Sequence, residues 1–458
     1  MTDKELKRSV LTVTAFASFL TPFMGSSINL ALPSIGDEMG VNAVTLNWIV
    51  SSYMLTTSIL LLPAGRVGDI LGRKLIFTAG LVIFTLAMIL LTFTPGIKWL
   101  IGIRILQGAG GAMMFGTNMA ILTSVFPPGE RGRAMGINVT AVYAGLASGP
   151  FLGGILTRYL GWRSIFAFLV PMGIISLILI RRKMKGEWAE ARGESFDWPG
   201  AVIYGLSVAG LMFGFSKLPS LQGWIITGGG MVLVPLFIMR EKKTEHPLFD
   251  ITLISRNRVF AFSSLAALIH YAATSAIGFF LSLYLQYIKE LGPRDAGFVL
   301  MAWPLTMTLI SPAAGKLSDN HNPGVLASVG MAISSAGLVL LCFVNEHTSV
   351  AFIVAVLVIM GAGFSLFSSP NSNAIMSSVE KRQLGNASGM LGTMRNMGQT
   401  FSMAIALMLL ALYLGQAKIN PANYPQLLSA MKSGFVVFSI LCFAGIFASL
   451  ARNKSLRK

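Results

Sequence analysis

The chain has 458 residues, of which 54% are hydrophobic and only 12% charged, far below the roughly one-quarter charged share of a soluble domain, so water is not its main solvent. The formal net charge of +17 would suit a nucleic-acid partner if it were clustered, but the basic residues sit in short segments between apolar runs, which excludes that partner in favour of membrane topology. Two cysteines, Cys342 and Cys442, each inside an apolar run, and four scattered histidines, His246, His270, His321 and His347, argue against a disulfide framework, a metal site or any cofactor.

Apolar runs near or above the ~20 residues needed to cross a bilayer recur at roughly 11–31, 46–65, 74–93, 99–125, 135–157, 163–180, 199–216, 222–239, 259–288, 296–315, 323–344, 349–376, 386–414 and 433–451. They predict an all-α membrane protein with about fourteen transmembrane helices. The first run is too long for a signal-peptide core and lacks a small-residue cleavage site, so it is expected to be a permanent helix. With the N-terminus inside, cytoplasmic segments hold most of the 35 Lys and Arg, among them Lys4, Arg73, Arg131, Arg181, Lys242, Arg258, Arg382 and Lys458. Outer segments hold fewer, such as Lys98, Arg163 and Lys418, while Arg104 and Arg395 lie within helices. The positive-inside rule then predicts a multi-pass protein of the cytoplasmic (inner) membrane with both termini cytoplasmic and its basic loops meeting lipid headgroups.

The chain is doubled. Gly65-Arg66-Val67-Gly68-Asp69 after the second run returns as Gly315-Lys316-Leu317-Ser318-Asp319, Glu130-Arg131 returns as Glu380-Lys381, and Gly108-Ala109-Gly110 with Asn118 returns as Gly361-Ala362-Gly363 with Asn371. Two six-helix halves should repeat after roughly 190 residues, so the longer offset requires an insertion. The predicted domains are an N-terminal six-helix bundle over 1–195, an inserted pair of helices over 196–255, placed at the periphery, and a C-terminal six-helix bundle over 256–458.

Four motifs carry chemistry. In the loop expected after the second helix, Asp69 can accept hydrogen bonds from helix N-termini while Arg73 and Lys74 pair with it or with lipid phosphate. With Gly65, Gly72 and the repeated Asp319, this predicts a cytoplasmic gate that latches the halves, against the plainer reading of a positive-inside loop. In the fourth helix, Arg104 is expected either to face a cavity or polar network or to snorkel to the headgroups. The fifth helix carries Gly145, Gly149, Pro150, Gly153 and Gly154, which predict a bent, closely packed helix suited to a conformational hinge. His270 is the mid-membrane side chain expected to titrate near neutrality, so Arg104 and His270 are the candidates for transport and proton coupling, with a structural histidine as the alternative.

The stretches Gly65 to Lys74, Arg104 to Ala112 and Gly145 to Gly154 resemble three signature motifs of the major facilitator superfamily. The fourteen helices, together with Phe23 to Pro33, Gly161-Trp162-Arg163, Phe196 to Gly200 and Phe367 to Asn371, resemble the fourteen-helix drug:proton antiporter family over essentially the whole chain. The resemblance implies alternating access, two bundles rocking about a central site, and export. It departs at Met24, where that family commonly carries an aspartate. All Asp and Glu fall in loops or at helix edges of the predicted spans, so the intramembrane polar groups are neutral or basic and favour a neutral or anionic amphiphile.

The expected cavity residues are Asn29, Gln107, Asn118, Tyr143, Tyr271 and Asn371. The predicted function is a secondary active transporter exporting drugs or amphiphilic metabolites, coupled to proton influx, and not an enzyme. A facilitator or substrate exchanger of the same fold, and more distantly a channel or membrane scaffold, are the alternatives. The expected partners are a small molecule, protons and lipid, with the protein a monomer.

Overall fold

The computed structural model describes residues 3–41, 43–218, 220–414 and 423–452; Lys418 and Lys458, weighed above in the loop charge, lie outside the described residues. Among the described residues there is no strand, as expected where each span must satisfy its own backbone hydrogen bonds.

The long helices are α1 (Asp3–Met39), α2 (Ala43–Leu71), α3 (Arg73–Thr92), α4 (Ile97–Val125), α5 (Arg131–Leu160), α6 (Ser164–Lys183), α7 (Trp198–Ser216) and α8 (Leu221–Glu241). They continue as α9 (Arg258–Ile288), α10 (Arg294–Asn320), α11 (Pro323–Cys342), α12 (Val350–Ser377), α13 (Leu384–Leu414) and α14 (Tyr424–Ala451). Thirteen of these segments are long and apolar enough to cross a membrane by length and composition. The remaining one, α4, is 29 residues long and packed between α2 and α3; its glycines, Arg104, Gln107 and Asn118 lower its mean hydropathy without removing it from the bundle.

Helix ends run past the apolar windows, and one difference matters. Gly65 to Leu71 is not a loop but the last turns of α2, and the reversal into α3 is made by Gly72 alone, at a φ of 126° that a side chain would resist. Asp69 and Arg73 therefore stand on consecutive helices, four residues apart. The expected ninth helix is interrupted at Ser275–Ala276, where Ser402 of α13 accepts the Ala276 N–H at 2.9 Å, and it ends in one wide π turn, Tyr284–Ile288.

Helices α1–α6 pack among themselves, as do α9–α14, and the two sets meet along two seams, α2 with α13 and α5 with α10. Because the repeat pairs α2 with α10 and α5 with α13, the seams are symmetry mates. Separate apolar clusters fill each set, one centred on Phe23, Phe84 and Phe166, another on Phe280, Phe435 and Phe438.

Helices α7 and α8 pack chiefly on each other, and α7 also lies along the α2–α13 seam. Its Tyr204 hydroxyl reaches the Ser58 carbonyl of α2 at 3.4 Å and Thr393 Oγ1 of α13 at 2.7 Å. The base of the pair is pinned by Asp197, which caps α7 by accepting the Gly200 N–H at 3.1 Å and pairs with Arg240 at the end of α8 at 2.6 Å.

Candidate functional site

A cavity of about 360 Å³ lies between the two sets of helices. Its wall on α13 is formed by Ser388, Leu391, Gly392, Arg395, Asn396 and Gln399, one stripe of a helix at three- and four-residue spacing. Tyr53, Tyr143 and Tyr271 supply aromatic surface, with Tyr143 and Tyr271 both edge-on to Phe364 at 5.8 and 5.4 Å. The space suits one drug-sized molecule.

On the face of the bundle that carries Asp3 and Arg452, two matching carboxylate contacts, the candidates for the expected latches, join the two sets. The buried carboxylate of Asp69 accepts the backbone N–H groups of Gly385 at 2.9 Å and Asn386 at 3.2 Å, at the first turn of α13. Arg73 holds it at 2.8 Å through Nε and also donates to Ser124 Oγ at 2.7 Å and to the Lys381 carbonyl. Across the other seam, Asp319 accepts from the backbone N–H groups of Gly132 at 2.7 Å and Arg133 at 2.8 Å, the first turn of α5. Each acid thus sits where the helix dipole favours an anion. The seams close to backbone contact: a methyl on Gly65 would run into the Gly385 carbonyl, and one on Gly136 would lie 2.6 Å from Ser311 O. Lys74 takes part through its backbone N–H, accepted by Glu187 at 2.8 Å.

Glu187 belongs to a feature that sequence reasoning missed. The segment after α6 clamps the α2–α3 corner: Trp188 O accepts the Arg73 N–H at 2.9 Å, the Ala191 N–H donates to Asp69 O at 3.0 Å, and Glu194 pairs with Arg66 at 2.5 Å. Two of these contacts are made by main-chain groups, which leave no residue-type signal.

Arg104 does not snorkel. It is 1% exposed, donates to Ile49 O at 2.8 Å, Gln107 Oε1 at 2.7 Å and Met24 Sδ at 2.8 Å, and lies 4.5 Å over the Tyr53 ring. Met24 thus stands at the arginine that an acid in its place would reach. Of the remaining expected residues, Asn29, Asn118, Tyr143 and Tyr271 line the cavity, and Asn118 donates to Ser18 Oγ at 2.7 Å. Gln107 is buried behind Arg104 and is not on the wall. Asn371 is placed elsewhere: it accepts from Arg452 at 2.7 Å near the terminal face, because that arginine folds inward past the end of α14 and takes it as partner. His270 also stands off the cavity, its ring 4.0 Å from Phe367 and 4.8 Å from Phe364, with Cys442 Sγ at 3.9 Å. The structure therefore does not bring His270 together with Arg104 on one surface.

The small residues of α5 face α1. Built methyls would lie 2.5 Å from Phe19 O at Gly145, 2.9 Å from Phe23 O at Gly149 and 2.6 Å from Ser27 Cβ at Gly153, and Ser27 Oγ donates to Gly149 O at 3.0 Å. Pro150 lies inside the helix and Gly154 is half-buried beside this contact. On the face opposite the latches, Glu38 accepts from Trp162 Nε1 at 2.7 Å and Arg163 at 2.6 Å.

The sequence profile of the Major Facilitator Superfamily matches residues 14–403 and 263–457. The chain is 28% identical over 442 residues to riboflavin transporter RibZ of Clostridioides difficile, covering 96% of each. It is 30% identical over 413 residues to cephamycin export protein CmcT of Amycolatopsis lactamdurans, covering 87% of this chain and 84% of that one. It is 28% identical to multidrug resistance protein Stp of Mycobacterium tuberculosis, covering 90% of this chain and 77% of that one. The crystal structure of the human organic anion transporter MFSD10 shares the fold, with a TM-score of 0.72 at 15% identity, covering 97% of this chain and 99% of that one.

Proposed function

Since this chain belongs to the major facilitator superfamily, as a multi-pass membrane transporter and not an enzyme, we propose that it exports small neutral or anionic amphiphiles from the cytoplasm by alternating access. The observation that carries the reading is an aromatic- and amide-walled cavity between two helix sets, with the Asp69 and Asp319 latches beneath it. With the basic loops inside, the terminal face is cytoplasmic and the state described is closed to the cytoplasm. The bodies over 1–195 and 256–458 rock about the cavity while the pair over 196–255 rides on one seam, and the Gly145–Gly154 stretch of α5 is the pivot against α1. Relatives named for cephamycin export, multidrug resistance and riboflavin transport support a small-molecule cargo.

In this reading proton influx drives export, with Arg104 at the wall and His270 behind Phe364 and Phe367 as the groups concerned. A second reading, a substrate exchanger or facilitator, is favoured by one observation: no Asp or Glu is among the residues lining the cavity. Efflux from proteoliposomes loaded with cationic, neutral and anionic dyes decides between them. Acceleration by an imposed pH gradient, lost in His270→Gln, supports coupling. Efflux indifferent to the gradient leaves the exchanger, and no protein-dependent efflux of any dye overturns both.

A further inference from the structure

We infer that Arg395 is the binding residue for an anionic group of the cargo, and that the cavity takes an aromatic carboxylate or a similar oxyanion in preference to its neutral isostere. The inference rests on the transporter reading above and adds the chemical class of the cargo. Besides Arg66 and Arg73, which are ion-paired with Glu194 and Asp69, three arginines are drawn into the bundle, and the structure separates their roles. Arg104 also borders the cavity, but it is buried, with its hydrogen bonds spent on Ile49, Gln107 and Met24 and its guanidinium over the Tyr53 ring. Arg452 is spent on Ser263, Asn371, Gly324 and Ser449. Arg395 is different: it is half-buried, lies on the cavity stripe of α13, and has no ion pair among the described residues.

Holding a guanidinium at membrane depth is costly without a counter-charge. Among the described residues no acid lines the cavity, and Arg395 lacks the set of neutral acceptors that holds Arg104 and Arg452, so an anionic cargo group is the partner that would complete it. The guanidinium carbon lies 5.5 Å over the Tyr271 ring, a contact that orients the planar fork and leaves its edge for a bidentate oxyanion. On the same stripe, Asn396 donates to Ser58 Oγ at 2.9 Å and so holds the neighbouring helix face in place. Tyr53, Tyr143 and Tyr271 offer ring surface to the body of the molecule, and the cavity volume of about 360 Å³ admits one such body.

The test is calorimetric binding of 1-naphthoate and of 1-naphthamide, a neutral isostere, to the purified full-length protein and to Arg395→Gln and Arg395→Lys. The wild type should prefer the carboxylate by about tenfold or more, the value of a charge-assisted bidentate pair. Arg395→Gln should lose that preference while retaining naphthamide affinity, which shows that the variant is folded. Arg395→Lys should fall between, because a point charge cannot supply the fork. Equal binding of the two probes by the wild type, a preference that survives in Arg395→Gln, or failure of both probes to bind overturns the inference. None of these bears on the exporter reading, which the dye-efflux experiment decides separately.

Discussion

Asp69→Asn is the sharpest perturbation available, because it keeps the shape of the latch and removes its charge. The carboxylate is fully buried and receives two N–H groups from across the seam, Gly385 and Asn386, besides the Arg73 guanidinium. An amide retains one acceptor oxygen but presents a donor to whatever faced the other, and it leaves Arg73 without its counter-charge. Hydrogen bonds to a charged group contribute about 1.5–3 kcal/mol each. Losing one and weakening a second removes ~3 kcal/mol from the closed state alone, a shift on the order of a hundredfold toward opening. A reporter cysteine at Ser372, on the cavity wall, in a background where Cys342 and Cys442 are serine, reads this directly. A membrane-impermeant maleimide added from the terminal face should label the variant much faster than its Asp69 parent, and Asp319→Asn should repeat the effect through the other seam. An unchanged labelling rate in both variants would refute the assignment of these acids as latches.

Two further outcomes follow from groups near the helix ends. Arg452→Met should lower the melting temperature and the unfolding free energy by about 2–4 kcal/mol, since several charge-assisted bonds are lost and Asn371 Oδ1 and Ser263 Oγ lose their guanidinium donor; a thermal scan in detergent within error of wild type would refute it. At Asp197, burial pushes the carboxyl up, but the Arg240 hydrogen bond and the Gly200 N–H outweigh it and hold the group below its ordinary 3.8. A depressed folded value means the contribution to the α7–α8 hairpin is complete above that range and is lost as pH falls below it. Amide protection in Trp198–Ser216, taken relative to the intrinsic exchange rate at each pH, should therefore fall in Asp197→Ala at neutral pH, and acidification should lower it in wild type but not further in the variant.

The doubling of the chain and the pairing of Asp69 with Asp319 were legible because they are spelled in residue types at fixed offsets. The partners of those acids were not, since a helix N-terminus offers main-chain N–H groups that no side chain announces. Gly65 to Leu71 read as a loop because its polar composition ends the apolar window, although polar residues extend a helix into the headgroup region without breaking it. Arg104 and Arg395 were indistinguishable in sequence: every face of a helix in such a bundle is apolar, so periodicity does not say which arginine spends its donors on protein partners and which keeps them for the cavity. For the same reason the sequence offers Asn371 as a cavity residue, whereas Arg452, one residue beyond the last apolar run, claims it.

The repeat makes two equivalent seams, and among the described residues α7 lies along one of them, tied by a tyrosine hydroxyl to Ser58 on one side and Thr393 on the other. A two-fold machine has been given a handed flank. In the proposed cycle, rocking of the halves would have to slide or release that hydroxyl and the Phe213–Trp48 and Phe215–Phe401 ring contacts beside it, a brake on one side that the opposite side lacks among the described residues. An amphiphile dissolved in the bilayer likewise meets a roofed flank and an unroofed one, and its lateral way in or out is no longer a choice between two identical doors.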